Sequence, residues 1–316
     1  MRPRVVLSEQ VARAIRDGAP VVALESTIIT HGLPRPENRE AALEFERRVA
    51  DRGAVPATIA VLDGIPRVGL EPDQLRQLTD TEEPAKLSAR DLPLAMAHAV
   101  TGGTTVAATA QLASQAGIRV FATGGIGGVH RNADTTFDES ADLGILARSR
   151  ITIVSGGVKS ILDIGATLER LESLSVTVLA YGTDRFPGFW LADSGHTVES
   201  SVSTPGEIAE MMRAADALGL PGGILVANPL PEAVQLDPIL HDRLLDDALK
   251  AAEMRAIRGK EVTPFLLDYI HEHTGRISVA VNLEIVYGNC ALAADIASCW
   301  SALQAGGSAA ASGDDV

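Results

Sequence analysis

The sequence predicts an α/β fold, with a mostly parallel central sheet flanked by helices on both faces in a single compact domain. Short β-branched runs alternate with longer amphipathic segments along the chain, which is typical of βαβ units. Glycines follow several of the amphipathic segments, as they do at helix C-termini. No Pro-, Gly- or Ser-rich linker divides the interior of the 316-residue chain, so we expect one domain.

Six buried strands are predicted in chain order. They are short, apolar and bounded by turn residues, and they cover residues 21–26, 57–64, 119–124, 151–156, 176–182 and 222–229. The helical patterns between them read ENREAALEFERRVADRG, LPLAMAHAVTGG, TVAATAQLASQAG, VKSILDIGATLERLESL, PGEIAEMMRAADALG and HDRLLDDALKAAEMRAIRG. A last helix is predicted over 281–304. We therefore expect a domain over residues 1–304 and a disordered tail over residues 305–316, because that tail is small and polar.

Charge and composition argue against several classes of partner. The chain carries 27 basic and 41 acidic residues, for a net charge of −14, and such a field repels nucleic acid and anionic membranes. No uninterrupted apolar stretch reaches the roughly 18 residues of a membrane span, and the first residues do not resemble a signal peptide. Cys290 and Cys299 lie on one predicted helix, which disfavours a disulfide. We expect a cytoplasmic protein without nucleic-acid or membrane partners.

The candidate site residues follow from the rule that ligands bind beyond the carboxyl ends of parallel strands. Lys159 stands shortly after a predicted strand, in SGGVKS, among apolar neighbours. A buried lysine can lose its proton and form a Schiff base with a carbonyl carbon; alternatively it extends to solvent from the first turn of a helix. Lys86 could depress the pKa of Lys159 or neutralise substrate charge.

Glu25 closes the strand VVAL and therefore points toward the same end of the sheet. Burial there raises the pKa of a carboxyl, which suits general acid/base work. The alternative is a carboxylate satisfied by local N–H groups. His31 and His130 could each donate a proton or contact phosphate, although a lone histidine is more often structural.

Three further motifs permit ligand binding but also have plain structural explanations. FATGGIGGVHR (121–131) could bring backbone N–H groups to an anion, or form a tight turn. TGGTTVAATA (101–110) could place a helix N-terminus against phosphate, or only cap that helix. Asp138 and Asp142 are four residues apart and would share a helical face. With Glu139 they would suit Mg²⁺ or Mn²⁺, or form a solvated helix start.

Taken together, eight long motifs resemble one family. In order along the chain they are VALESTIITHGLPRPEN, ATIAVLDGIPRVGL, KLSARDLP, GGTTVAAT, FATGGIGGVHR, FDESADL, SGGVKSILDIGATLE and AYGTDRFPGFW. The chain is similar over residues 8–300 to the pseudouridine-5′-phosphate glycosidases, also called the indigoidine synthase A-like family. The resemblance implies reversible cleavage of pseudouridine 5′-phosphate by water to uracil and ribose 5-phosphate. It also implies an enzyme of the carbon–oxygen lyase class with an α/β fold, one Mn²⁺ per subunit and a homotrimeric assembly.

The resemblance also implies a role for individual residues. The covalent lysine falls on Lys159, the acid/base glutamate on Glu25 and the metal-binding aspartate on Asp138. The positions implied at the substrate are Lys86, Val106, Thr123, His130, Ser140, Ala141, Asp142 and Asn282. Glu284 and Tyr287 depart from the family pattern, and this departure bears on substrate preference.

The implied reaction is consistent with these residue types. A C–C glycosidic bond offers no nitrogen or oxygen leaving group, so the paired carboxylates of ordinary glycosidases would not suffice. A lysine imine on the opened sugar would supply the electron sink. The alternatives are another Schiff-base sugar-phosphate lyase or aldolase, a pigment-biosynthesis relative, and an inactive nucleotide-binding relative. The last is disfavoured by the four residues Glu25, Lys86, Asp138 and Lys159.

Overall fold

Eleven strands hydrogen-bond into one mixed sheet within residues 5–258 and 262–311, the part of the chain that the computed structural model describes. A two-stranded hairpin accompanies this sheet. The strands are β1 (Val6–Leu7), β2 (Val21–Leu24), β3 (Val55–Leu62), β4 (Ile65–Val68), β5 (Ala85–Leu87), β6 (Gly102–Thr104), β7 (Val120–Ala122), β8 (Thr152–Ser155), β9 (Thr177–Tyr181), β10 (Arg185–Gly188), β11 (Leu191–Thr197), β12 (Ser201–Val202) and β13 (Ile224–Ala227). All six predicted strands are present, as β2, β3, β7, β8, β9 and β13.

Helices connect most of these strands. They are α1 (Glu9–Arg16), α2 (Thr27–His31), α3 (Glu37–Ala50), α4 (Pro72–Asp80), α5 (Leu92–Ala97), α6 (Val106–Ala116), α7 (Ala133–Thr136), α8 (Ala141–Leu146), α9 (Ile164–Ser173), α10 (Pro205–Ala217), α11 (Pro238–Met254), α12 (Val262–His273) and α13 (Ile277–Ala311). The helix predicted to begin at residue 158 begins only at Ile164, because Asp163 caps it by accepting a hydrogen bond from the Ala166 N–H.

The sheet is parallel through its centre. Its order is β1-β4-β3-β2-β7-β8-β13-β9-β12, and every pair from β3 to β12 is parallel. Strand β3 is antiparallel to both β4 and β6, and β5 extends the sheet beyond β6. The predicted fold class, a mostly parallel sheet in one domain, is therefore confirmed.

Helices cover both faces of the sheet, because side chains alternate along each buried strand. In β2, Val21 and Ala23 belong to one apolar core, whereas Val22 and Leu24 belong to the other. Helix α6 packs on the first face, and α3 and α13 pack on the second. Because β2, β7, β8 and β13 run parallel between these layers, their carboxyl ends meet at one edge of the sheet.

Helix α13 is long and apolar enough, over Ile277–Gly306, to cross a membrane by length and composition alone. Of its most apolar window, 56% is buried inside the protein. Val286, Cys290 and Ala293 belong to the core that covers the sheet, so packing accounts for the composition of this helix. The helix extends to Ala311, past the predicted start of a disordered tail at residue 305. The remainder of that predicted tail, residues 312–316, lies outside the described residues.

Candidate active site

The predicted site residues gather where the central strands end. Glu25 directly follows β2, Thr123 directly follows β7 and Asn228 directly follows β13. Gly156 and Gly157 follow β8 and lead into the loop that carries Lys159. These residues therefore lie at the edge of the sheet that the strand-end rule indicates.

The Glu25 carboxyl is half-buried and held by a neighbouring hydroxyl. Its Oε1 accepts a hydrogen bond from the Thr123 Oγ1, and Thr123 itself is buried. Burial raises the pKa of Glu25 above its usual range, and the negative charge of Asp142 acts in the same direction. The Lys159 ammonium, the Thr123 hydrogen bond and, more weakly, Lys86 favour the charged form. Glu25, Thr123, Lys159, Asp142 and Lys86 are thus close enough to interact electrostatically.

Lys159 lies in a loop between β8 and α9, and not in the first turn of a helix. Its backbone N–H donates to the Ile126 carbonyl at 3.1 Å, and its carbonyl accepts from the Leu162 N–H at 2.9 Å. The preceding Val158 forms a parallel bridge with Ile126. The loop is therefore fixed by the glycine-rich segment that follows β7, while the Lys159 side chain keeps partial access to solvent.

Both carboxylate oxygens of Asp142 are used within the protein. Oδ1 accepts from the Ala107 N–H at 2.9 Å, and Oδ2 accepts from the Gly127 N–H at 2.8 Å. Asp142 is only 7% exposed. The residue therefore joins the start of α6 to the glycine-rich loop, and its negative charge reaches Glu25 as described above.

The prediction that Asp138 and Asp142 share one helical face is wrong. Helix α8 begins at Ala141, and Ser140 caps it by accepting a hydrogen bond from the Asp142 N–H at 3.2 Å. Asp138 precedes the cap, in the connection from α7. A capping serine between the two aspartates thus breaks the helical spacing that the sequence suggested.

Asp138 faces His130 and remains open to solvent. The His130 Nδ1 lies 3.8 Å from the Asp138 Oδ2, and the Asp138 side chain is 35% exposed. Within the described ranges no three His, Cys, Asp or Glu side chains are grouped closely enough to enclose a metal. One carboxylate that water can reach fits Mn²⁺, because hard divalent cations retain several waters and bind few protein carboxylates.

A basic side chain lies at the edge of the site. Lys86 is exposed on β5, and its charge acts on Glu25, on His31 and on Asp268 of α12. Burial lowers the pKa of His31, and the Lys86 charge lowers it further. His31 is the last residue of α2.

Two of the remaining predicted positions begin helices, and a third lies in α13. Val106 is the first residue of α6, whose cap is Thr105, and Ala141 is the first residue of α8. Asn282 is buried, and its Oδ1 accepts a hydrogen bond from the Trp190 indole Nε1. The Asn282 amide oxygen is therefore already bonded to Trp190, which follows β10.

Sequence reasoning missed two features of this site. Backbone N–H groups of Ala107 and Gly127 hold Asp142, and residue type carries no signal for such contacts. Asn289 of α13 donates from Nδ2 to the Thr123 carbonyl at 2.7 Å. An asparagine between the apolar residues of this helix was the available signal, because a buried amide requires partners.

Known proteins similar to this chain share its fold and nearly its full length. The family model described as indigoidine synthase A like protein matches residues 10–299. The pseudouridine-5′-phosphate glycosidase of Frankia alni is 57% identical over 301 residues, which cover 95% of this chain and 83% of that protein. The enzyme of the same name from Saccharopolyspora erythraea is 56% identical over 292 residues, covering 92% and 96%.

Two solved structures superimpose closely. The prealnumycin C-glycosynthase AlnA, in complex with ribulose 5-phosphate, has a TM-score of 0.89 at 33% identity, covering 96% of this chain and 99% of its own. An indigoidine synthase A (IdgA)-like protein from Thermotoga maritima has a TM-score of 0.85 at 32% identity, covering 95% and 98%. With a family model matched over nearly all its length and relatives above half identity, the chain belongs to the indigoidine synthase A-like family.

Proposed function

We propose that the protein catalyses the reversible reaction of pseudouridine 5′-phosphate with water to give uracil and ribose 5-phosphate. Relatives that bear this activity in their names are more than half identical to the chain over nearly its whole length. The observation that supports it best is the meeting of Glu25 and Lys159 at the ends of β2 and β8. An amine and a carboxyl of raised pKa are the two groups that this reaction needs.

Lys159 is assigned the covalent step, in which it forms an imine with the opened sugar. The neutral amine attacks C1′, and the ring oxygen leaves with a proton from Glu25. Uracil C5 then takes the proton that the Lys159 nitrogen releases after the attack, and the C1′–C5 bond breaks with its electron pair returning to the uracil ring. The nitrogen lone pair of Lys159 forms the imine at C1′. Water adds to this imine, the amine departs, and ribose 5-phosphate is released.

Glu25 moves the proton at ring opening and ring closing. Burial raises the pKa of Glu25 and so favours the protonated carboxyl that a proton donor requires. Thr123 orients the carboxyl by donating to one of its oxygens. Asp142 adds negative charge that opposes ionisation of Glu25 and favours the developing cation on the Lys159 nitrogen.

Binding of the 5′-phosphate is assigned to the basic and backbone groups around this pair. Lys86 supplies a positive charge at the edge of the site, and Val106, the first residue of α6, is assigned a contact through its backbone N–H. Ser140 caps α8, Ala141 begins it, and His130 lies at the end of the glycine-rich segment; Asn282 is assigned to the base side. These local groups explain how a protein of net charge −14 can bind an anion.

Asp138 would hold Mn²⁺, with His130 as its neighbour. When bound, the ion supplies positive charge that neutralises substrate oxygens and orients water. We expect a chelator to lower turnover and added Mn²⁺ to restore it. Turnover that is indifferent to chelation would remove Asp138 from this role.

A homotrimer in the cytoplasm completes the proposal. The trimer rests on family resemblance, and scattering should give a mass of about three times 33.1 kDa. The cytoplasmic location rests on the two cysteines, which are both free. A monomeric mass in solution would contradict the proposed assembly.

The C-glycosynthase neighbour supports a second candidate function. That protein was solved with ribulose 5-phosphate and is 33% identical to this chain. In this second function the chain would form a C–C bond between a pentose 5-phosphate and a pigment precursor. The relatives named as pseudouridine-5′-phosphate glycosidases are far closer in sequence, and so the first candidate is favoured.

The decisive experiment incubates the wild-type protein with uracil, ribose 5-phosphate and Mn²⁺. We expect the mass of pseudouridine 5′-phosphate to appear, and its absence at every uracil concentration would overturn the proposed function. Borohydride should trap a pentose phosphate adduct on wild type but not on Lys159→Ala. Lys250→Ala, which removes an exposed lysine of α11, is the matched control and should retain both the product and the adduct.

A further inference from the structure

A fully buried asparagine interrupts the apolar face of α13. Asn289 is 0% exposed, and both ends of its amide have partners. Its Nδ2 donates to the Thr123 carbonyl at 2.7 Å, and its Oδ1 accepts from the Asn228 Nδ2 at 2.9 Å. A buried amide destabilises a fold unless such partners exist, so these contacts explain how the core accommodates this residue.

The two asparagines connect the ends of three neighbouring strands. Asn228 follows β13, and its backbone N–H donates to the carbonyl of Ser155, the last residue of β8, at 2.8 Å. Thr123 follows β7, and its carbonyl accepts the hydrogen bond from Asn289 of α13. The bridge therefore fixes the edge of the sheet at the position where the candidate site lies.

The backbone N–H and the carbonyl of Thr123 therefore both have hydrogen-bond partners. Its N–H donates to the Val154 carbonyl at 3.0 Å, and its carbonyl accepts from Asn289. With both peptide groups fixed, the side chain is directed toward the Glu25 Oε1, to which its hydroxyl donates. Loss of the amide contact would free the peptide unit that sets this direction.

We propose that Asn289, supported by Asn228, is a positioning residue that holds Thr123 in the orientation from which its hydroxyl donates to Glu25. This inference rests on the proposed function, in which Glu25 transfers a proton. Asn289 does not touch the substrate in this proposal, because its amide is occupied by protein groups. Lys159, Asp142 and Lys86 also act on Glu25, and they remain unchanged in the variants below.

The test is the pH profile of kcat/KM for pseudouridine 5′-phosphate cleavage, which reports the ionising groups of the free enzyme. Thr123→Val removes the hydrogen bond that lowers the pKa of Glu25. The limb of the profile that reports Glu25 should move to higher pH by about one unit. Asn289→Ala should move the same limb in the same direction by about half a unit, because the hydroxyl remains but is less well oriented.

Combination of the two changes sharpens the test. In Thr123→Val/Asn289→Ala the limb should lie where Thr123→Val alone places it, because residues that act through one another are not additive. Ser298→Ala, on the same helix, removes a hydroxyl that donates only to the Ala294 carbonyl, and its profile should match wild type.

Two results would overturn the inference. One is a uniform loss of kcat/KM in Asn289→Ala with no movement of the limb, which is the outcome of a merely structural role. The other is full additivity in the double variant. If Asn289→Ala does not fold, Asn228→Ala removes the support from the other end and carries the same expectation. A wild-type protein without turnover would instead overturn the proposed function, so the two failures are distinguishable.

Discussion

Asp142→Asn tests how the site is held together. The change keeps the shape of the side chain but replaces one of two acceptor oxygens with an NH₂ group. The Asp142 oxygens accept at 2.9 Å from Ala107 and at 2.8 Å from Gly127, so one of these backbone N–H groups would face another donor. Loss of a buried hydrogen bond to a charged group costs about 1.5–3 kcal/mol, and the surviving bond becomes neutral and weaker. We expect the free energy of unfolding to fall by about 3 kcal/mol.

Urea unfolding followed by tryptophan fluorescence measures this loss, with Asp163→Asn as the matched control. Asp163 caps α9 from an exposed position by accepting from the Ala166 N–H at 2.9 Å, and asparagine caps helices as well as aspartate does. The control should change stability by less than about 0.5 kcal/mol. Equal stability of the two variants would refute the reasoning. In Asp142→Asn the pH-profile limb that reports Glu25 should also move to lower pH, because a negative charge that raises its pKa has been removed.

Three other predictions follow from burial and backbone geometry. Gly157 has a φ of +85°, and a Cβ there would lie 2.3 Å from a backbone oxygen; Gly157→Ala should therefore lower the unfolding free energy by about 3 kcal/mol. Gly53→Ala, at a φ of +81° in open space, should lose only about 1 kcal/mol, and equal losses in urea titrations would contradict this. Burial raises the pKa of the Cys290 thiol, so Ellman's reagent should modify the partly exposed Cys299 in the native protein and Cys290 only after unfolding; two fast thiols would contradict it. Burial lowers the pKa of His271, so its contribution to stability is present above its unfolded pKa of about 6.5 and is lost as the pH falls below that value. The free energy of unfolding should therefore differ less between about pH 7.5 and 5.5 in His271→Gln than in wild type. An unchanged difference would exclude this histidine as its source.

The central strands could be predicted because their burial on both faces is encoded in apolar, β-branched runs. Strand β6 could not, since Gly102–Thr104 has neither the length nor the residue types of a strand. It forms because Gly102 lies against the Ala85 backbone, where a Cβ would come within 2.3 Å of the carbonyl oxygen. The Ser26 hydroxyl accepts from the Thr104 N–H and donates to the Ile59 carbonyl. Such tertiary contacts are absent from any local pattern.

The candidate site, too, could be predicted only in part from the sequence. Glu25 and Lys159 follow strands whose ends could be located, so their approach to each other was predictable from topology. The surroundings of Asp142 were not, because Ser140 starts a new helix between it and Asp138. The role inferred for Asn289 depends on partners that are 61 and 166 residues away in the chain. Periodicity describes near neighbours and cannot specify contacts over such separations.

The large separation in sequence between α13 and the strands that it covers has a consequence for biosynthesis. This helix covers the sheet over β2, β7 and β8, strands that leave the ribosome long before it does. Until α13 has been synthesised, that apolar face lacks its cover, and the nascent polypeptide cannot close this core. The uncovered sheet is therefore a surface that a chaperone would meet on the growing polypeptide.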